Sequence, residues 1–202
     1  MIGVIDAELI DATDRWRPAE VEQLFADFRE AALAIDARCE LAPARGDSLR
    51  LQCRGYSVLR LGVLFSLMAK LENPAGAQVS LSLAARDTYD PRPLGMRTGA
   101  AYVAARRATA QAAKRAAGLT YAPAIDGEEG WAAAVQLLDV VLAKITDRQA
   151  DVLRYALAHP GDDQRAVARA FGITQQAASK HLRAASGRRI EAVITRWAAA
   201  HR

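Results

Sequence analysis

The chain has little of what builds metal, redox or membrane proteins. Its 202 residues include two cysteines and three histidines. Cys39 and Cys53 belong to no Cys-x-x-Cys pair and no Cys/His cluster, which argues against a zinc site or a redox couple. No run of about 18 uncharged apolar residues occurs, so no membrane partner is expected. The N-terminus, MIGVIDAELIDATD, has carboxylates where a secretory leader has Lys or Arg ahead of a longer apolar stretch, and a cytoplasmic location is expected. A Gly-rich turn after the first strand, a Walker lysine loop, His-Glu-x-x-His and a nucleophile elbow are all missing. Those absences exclude the commonest dinucleotide, NTPase, metalloprotease and hydrolase designs, and no cofactor is expected. Aromatic residues are scarce at 6%, and much of the 51% hydrophobic content is alanine, which favours helix and buries little surface per residue. The core must rest on Leu, Val, Ile and a few rings; Trp16, Trp131 and Trp197 show no cage spacing and read as core or interface residues.

Basic charge is present, and it is unevenly placed. The chain has 27 Lys or Arg against 23 Asp or Glu; residues 146–202 hold 10 against 5, leaving 17 against 18 for residues 1–145. A basic tail on a neutral body suits a nucleic-acid module attached to a domain with another task.

Periodicity divides the chain at the same place. Met1–Ile10 alternates as a strand, with Asp6 and Glu8 on one face. Pro18 opens a helix in which Val21, Leu24, Phe25, Phe28, Ala32 and Ile35 recur at helical spacing. Residues 39–54 form a hairpin pattern around Gly46-Asp47, and 56–72 is a buried helix stopped at Asn73-Pro74. QVSLSLA, residues 78–84, alternates with Val79, Leu81 and Leu83 inward. A turn-rich loop leads to an Ala-rich helix bearing Arg106, Arg107, Lys114 and Arg115, four cations that suit either a phosphate-binding surface or simple solubility. Leu119-Thr120-Tyr121 is a last short strand, and 129–145 is helical. This order predicts an α+β protein: an N-terminal domain, 1–145, that is a ferredoxin-like or cyclase-palm-like α/β sandwich with a mixed or antiparallel sheet, and an all-helical C-terminal helix-turn-helix domain, 146–202.

Within the tail, QRAVARAFGITQQAASKHLRAA meets the needs of two helices crossing steeply. Gly172 is free to take positive φ, Ala168 allows close contact, Phe171 and Ile173 form an apolar hinge, and Thr174 is placed to cap the second helix. That helix then turns Gln175, Gln176, Ser179, Lys180 and Arg183 away from Ala177, Ala178 and Leu182. Gln suits adenine, Lys and Arg suit guanine or phosphate, and Ser suits phosphate. A plain solvated helix has the same composition; the turn is what separates the two readings. The candidate DNA-binding residues are Thr174, Gln175, Gln176, Ser179, Lys180 and Arg183.

Residues 146–185 resemble the helix-turn-helix domains of LuxR-type regulators and of the sigma-factor region that reads promoter DNA. The likeness rests on Thr146, Arg148, Gln149, Val152 and Leu153, then Ala168, Gly172, Ile173 and Thr174. With MIGVIDAELID, ARGDSLRL and GAAYVAARRA ahead of that unit, the chain resembles the SatD family of bacterial proteins, though Ala7-Glu8 stands where that family has Gly-Asp. The resemblance implies a regulator more than an enzyme. Strand, helix, hairpin, helix, strand is also the order of nucleotidyl cyclase and GGDEF-type palms, in which carboxylates hold divalent ions. Asp6, Glu8 and Asp47 are the residues that can play those parts, giving the alternative of a nucleotide- or metal-binding palm with an accessory helix-turn-helix. Asp47 also suits a side-chain bond within its own turn. The partners expected are double-stranded DNA, a second copy of the chain, with Phe25, Phe28, Leu64 and Phe65 as candidates for the symmetric interface, and a small-molecule or protein effector acting through the stiff junction at 143–147.

Overall fold

The alternating stretch at the start of the chain becomes the central strand of a sheet. The computed structural model describes residues 1–84, 92–115 and 118–202, with backbone only at 44–45 and 113–115; the side chains of Lys114 and Arg115 therefore lie outside the described residues. Strand β1 (Ile2–Leu9) leads through a single turn, α1 (Ala12–Arg15), to α2 (Pro18–Ile35), the hairpin β2 (Glu40–Arg45) and β3 (Ser48–Arg54), α3 (Val58–Glu72) and β4 (Ala77–Ala84). There follow α4 (Ala100–Arg115), β5 (Leu119–Tyr121) and α5 (Glu129–Ala143), then four helices: α6 (Asp147–Ala158), α7 (Gln164–Ala170), α8 (Gln175–Ala184) and α9 (Gly187–Ala200). The protein is α+β, with a mixed sheet in the order β2-β3-β1-β4-β5. Neighbours are antiparallel except β4 and β5, which run parallel.

Alternation decides what each face of β1 meets. Ile5, Ala7 and Leu9 join a core with Leu24, Phe28, Leu64 and Phe65 from α2 and α3. α3 lies close to the sheet because of Gly62: a methyl there would stand 2.5 Å from Leu81 Cδ2. The other face of the sheet is covered by α4, whose Ala101, Ala105, Thr109 and Ala112 are buried at spacings of one helical turn. The alternation of 78–84 implies one buried face, yet β4 is buried along its whole length. Its serines tolerate this because each is bonded, Ser80 Oγ to Thr120 Oγ1 at 2.9 Å and Ser82 Oγ to the Ala122 carbonyl at 2.8 Å.

The apolar core crosses from the sheet into the C-terminal helices. Leu153, Leu157, Ile190, Ile194 and Trp197 belong to the same cluster as Ile5 and Leu81. α3 is shared, bearing on the sheet with one side and on α6 and α9 with the other. Arg60 on α3 donates to the Leu157 carbonyl (3.2 Å) and pairs with Glu191. Lys70 at the other end of α3 donates to the carbonyls of Leu142 (3.1 Å), Ala143 (3.3 Å) and Ile145 (2.6 Å), satisfying the exposed end of α5 with a cation, as a helix C-terminus favours. The junction at 143–147 is thus pinned by a side chain from the sheet layer. Among the described residues, no helix is long and apolar enough to cross a membrane.

Burial corrects one expectation. Phe28, Leu64 and Phe65 are fully enclosed, so they cannot form the surface of a symmetric interface. Nothing local distinguishes a core ring from an interface ring; the covering layer does.

Asp36 fastens α2 to the sheet. Fully buried, it accepts hydrogen bonds from the Arg54 N–H (2.9 Å), Arg54 Nε (2.9 Å) and the Arg38 N–H (3.1 Å). Burial pushes its pKa up, and these donors together outweigh that push and hold it below the usual carboxylate range. A depressed folded-state pKa gives stabilisation that is complete above the unfolded value of about 3.9 and is lost as pH falls through the lower folded value. Asp36→Ala is expected to cost about 2–3 kcal/mol in urea unfolding near neutral pH, discounted for the exposed side of Arg54, and the gap from the parent chain should narrow below about pH 4.

Candidate nucleic-acid interface

Each helix of the C-terminal unit is set by a cap the sequence supplies. Thr146 and Gln149 form a capping box at the start of α6, with the Thr146 N–H donating to Gln149 Oε1 at 3.2 Å. Asp163 caps α7 by accepting from the N–H groups of Arg165 (2.9 Å) and Ala166 (2.8 Å). Those backbone donors, the Ala166 N–H first, lower its pKa. Thr174 Oγ1 accepts from the Ala177 N–H at 3.1 Å and caps α8.

Between α7 and α8, Gly172 takes φ +59, a conformation that favours glycine, and an added methyl would meet open space there. Backbone geometry, not crowding, asks for glycine. The Ile173 N–H bonds to the Ala168 carbonyl at 3.0 Å across the turn. Ala168 packs with Val152, Val167 and Ala178 in a small cluster of its own, flanked by Tyr155, Phe171 and Ile173. Small residues at 168 and 178 let the two helices touch.

Helical geometry then sets what α8 presents. At 100° per residue, Gln175, Ser179, Arg183, Gln176 and Lys180 fall within an arc of about 140°. Gln175, Gln176, Lys180 and Arg183 are exposed, Ser179 is half-buried, and Ala178 is buried on the opposite side. The structure therefore brings all six sequence-derived residues to one helix and its cap, with the Thr174 hydroxyl already engaged in capping.

The electrostatics follow from where the carboxylates go. Asp151 binds Arg154 (3.0 Å) and Arg148 (3.7 Å), Asp162 accepts from the Tyr155 hydroxyl (3.0 Å), Asp163 caps α7 and Glu191 is taken by Arg60. Asp147 lies in the first turn of α6, where a helix N-terminus favours it. Among the described residues, no ion pair engages Lys180, Arg183, Arg188 or Arg189.

The alternative residues also meet. Asp6, Glu8 and Asp47 line one cleft of about 290 Å³ at the end of the sheet, beside Arg50, Arg106 and Thr109. Register explains the meeting, since Asp6 lies opposite Arg50 and Glu8 opposite Ser48. Asp6 is not free to hold an ion: Arg50 Nε and Nη2 donate to its Oδ1 at 3.0 and 2.9 Å, and Arg50 Nη1 donates to the Gly95 carbonyl at 3.1 Å. Among the described residues, no group of three His, Cys, Asp or Glu side chains is arranged to hold a metal. Arg50, Arg60 and Lys70, which organise the cleft and the junction, are missed by sequence reasoning, because only strand register and helix docking reveal their partners. Comparison of the chain with protein-family models, curated proteins and solved structures yields no match.

Proposed function

We propose that the protein is a sequence-specific double-stranded DNA-binding protein, a cytoplasmic transcriptional regulator, in which 146–202 is a helix-turn-helix reading unit and 1–145 a ferredoxin-like body that pairs two copies. The observation that carries this reading is the exposed arc of α8, with Gln175, Gln176, Ser179, Lys180 and Arg183 on one side and, among the described residues, no ion-pair partner for Lys180 and Arg183. A helix with that arc, set by a positive-φ glycine against a preceding helix, has the geometry that enters a major groove. The antiparallel order β4-β1-β3-β2 supports the ferredoxin-like label. The test is fluorescence anisotropy of the full chain with pooled genomic fragments. Binding should weaken linearly in log-log form with salt, by a slope of about −0.9 per phosphate neutralised. No binding at low salt by the folded protein overturns the reading.

One such helix reads few base pairs, so specificity asks for two copies with half-sites about 34–36 Å apart. The outer side of α5 offers the surface: Leu137 is 70% and Val140 49% exposed, with exposed Ala133 one turn earlier, on the helix that runs into the reading unit. A second copy is the natural occupant of a stripe continuous with that unit. The parent chain should have dimeric mass in light scattering and Leu137→Asp monomeric mass; a monomeric parent, with and without DNA, refutes this interface.

A second reading is favoured by the meeting of Asp6, Glu8 and Asp47, which suits a palm that binds a nucleotide with Mg²⁺ or Mn²⁺. It requires Arg50 to release Asp6. A nucleotide and metal panel that raises the melting temperature would support it, and no shift would remove it.

A further inference from the structure

We propose that the open cavity between α6, α8 and α9 binds a small amphipathic anion, an apolar body ending in a carboxylate, and that its occupancy lowers affinity for DNA. The cavity measures about 580 Å³, within the range of small-molecule sites. Its floor is apolar, formed by Leu153, Ala156, Leu157 and Leu182. Its rim bears Arg183, Arg188 and Arg189, all exposed. Two carboxylates also line it: Glu191 is paired with Arg60, and Asp162, which accepts from the Tyr155 hydroxyl, keeps its negative charge and offsets one of the three arginines. The charge left over is positive, so the site favours an anion over a cation, and its floor favours an alkyl or ring body over a bare inorganic ion. The start of α9 adds to this: the Arg189 and Ile190 N–H groups bond to the Ser186 carbonyl (2.8 and 3.0 Å), but the Ser186 side chain caps nothing, so the Gly187 and Arg188 N–H groups at the cavity have no side-chain acceptor there.

The regulatory half rests on the DNA-binding reading. Arg183 belongs both to the rim and to the exposed arc of α8. A carboxylate that engages Arg183 withdraws it from phosphate, so ligand and DNA compete for one side chain, and each must weaken the other by the same factor. Leu157 and Glu191, both at the cavity, are the two groups that Arg60 ties to α3, so occupancy also bears on the contact with the sheet layer.

The test uses the full chain and octanoate, with octanol as a body without charge and acetate as charge without body, at constant ionic strength. Octanoate should raise the melting temperature by about 2–4 °C at saturation, and neither control should do so at the same concentration. Ala156→Leu, which fills the cavity, and the double change Arg188→Gln with Arg189→Gln should each abolish the shift. In anisotropy, octanoate should lower the parent's DNA affinity at least five-fold and leave that of Ala156→Leu unchanged. No octanoate shift, or a shift that survives both variants, overturns the site. Absence of an octanoate shift in the parent chain, together with loss of DNA affinity in the double arginine variant, overturns it and assigns the rim to the DNA backbone. Octanoate binding without effect on DNA affinity overturns the competition, whereas absence of DNA binding altogether counts against the function proposed above, because the melting shift is read without DNA.

Discussion

Trp197→Ala is expected to remove about 4–5 kcal/mol of stability, the largest loss from any single truncation considered for this chain. The ring is fully buried where α9 meets the sheet layer. It stands edge-on to Tyr121 and Trp131, with ring centroids 5.1 Å away in each case, and 4.1 Å from the His201 ring. Its Nε1 donates to the Gly55 carbonyl at 2.8 Å. Truncation leaves a cavity, at about 3–5 kcal/mol, and orphans that carbonyl, at about 1–3 kcal/mol before relaxation. The neighbours suffer as well. His201 Nε2 lies 2.9 Å from Glu128 Oε2, which also accepts from the Tyr121 hydroxyl at 3.2 Å; burial first, and then Glu128, push the Tyr121 pKa up. Urea unfolding measures the loss, and Trp197→Phe separates its parts by keeping a ring without the N–H donor. A loss below about 2 kcal/mol for Trp197→Ala would mean that α9 is anchored elsewhere.

Joint replacement of Lys180 and Arg183 by alanine is expected to weaken DNA binding about 100-fold near 0.1 M salt while leaving stability within about 0.5 kcal/mol. Both side chains are exposed, and neither has an ion-pair partner among the described residues, so the fold loses little with them. The salt dependence distinguishes their roles. If both meet phosphate, the slope becomes shallower by about 2; if Arg183 reads guanine, it changes by about 1 and specificity relaxes at one base pair. Gln175→Ala with Gln176→Ala should instead flatten discrimination among sequences with little change in slope. An unchanged affinity in the cation variant would place the DNA surface off α8.

The contrast between these two regions explains what could be read from the chain alone. The arc of α8 was legible because helix geometry, a capping threonine and a positive-φ glycine are local properties. The strand and helix spans were legible for the same reason, from alternation in β1, helical spacing in α2 and, in α3, an apolar run too long for a strand, whereas the single turn α1 is too short to leave a period. Pairing across the sheet was not legible. Asp6 reads as a free carboxylate until register sets Arg50 opposite it. Ser80 and Ser82 read as a solvent face until the alanine stripe of α4 covers them. Phe28 and Phe65 suggested an interface because a sequence records apolarity and not what lies on top of it.

The separate packing of α7 and the start of α8 has a consequence for exchange of backbone hydrogens with solvent. α3, α6 and α9 share one core with the sheet, so their amides should open only with the whole molecule. α7 and the first turns of α8 are held instead by the small cluster of Val152, Val167, Ala168 and Ala178. That cluster can part without disturbing the larger core. Amides of α7 and early α8 should therefore exchange through cheaper, local openings, and bound DNA should slow them most. The segment that meets the ligand would then be the one whose motion the ligand removes, and part of the binding free energy would be spent in quieting it.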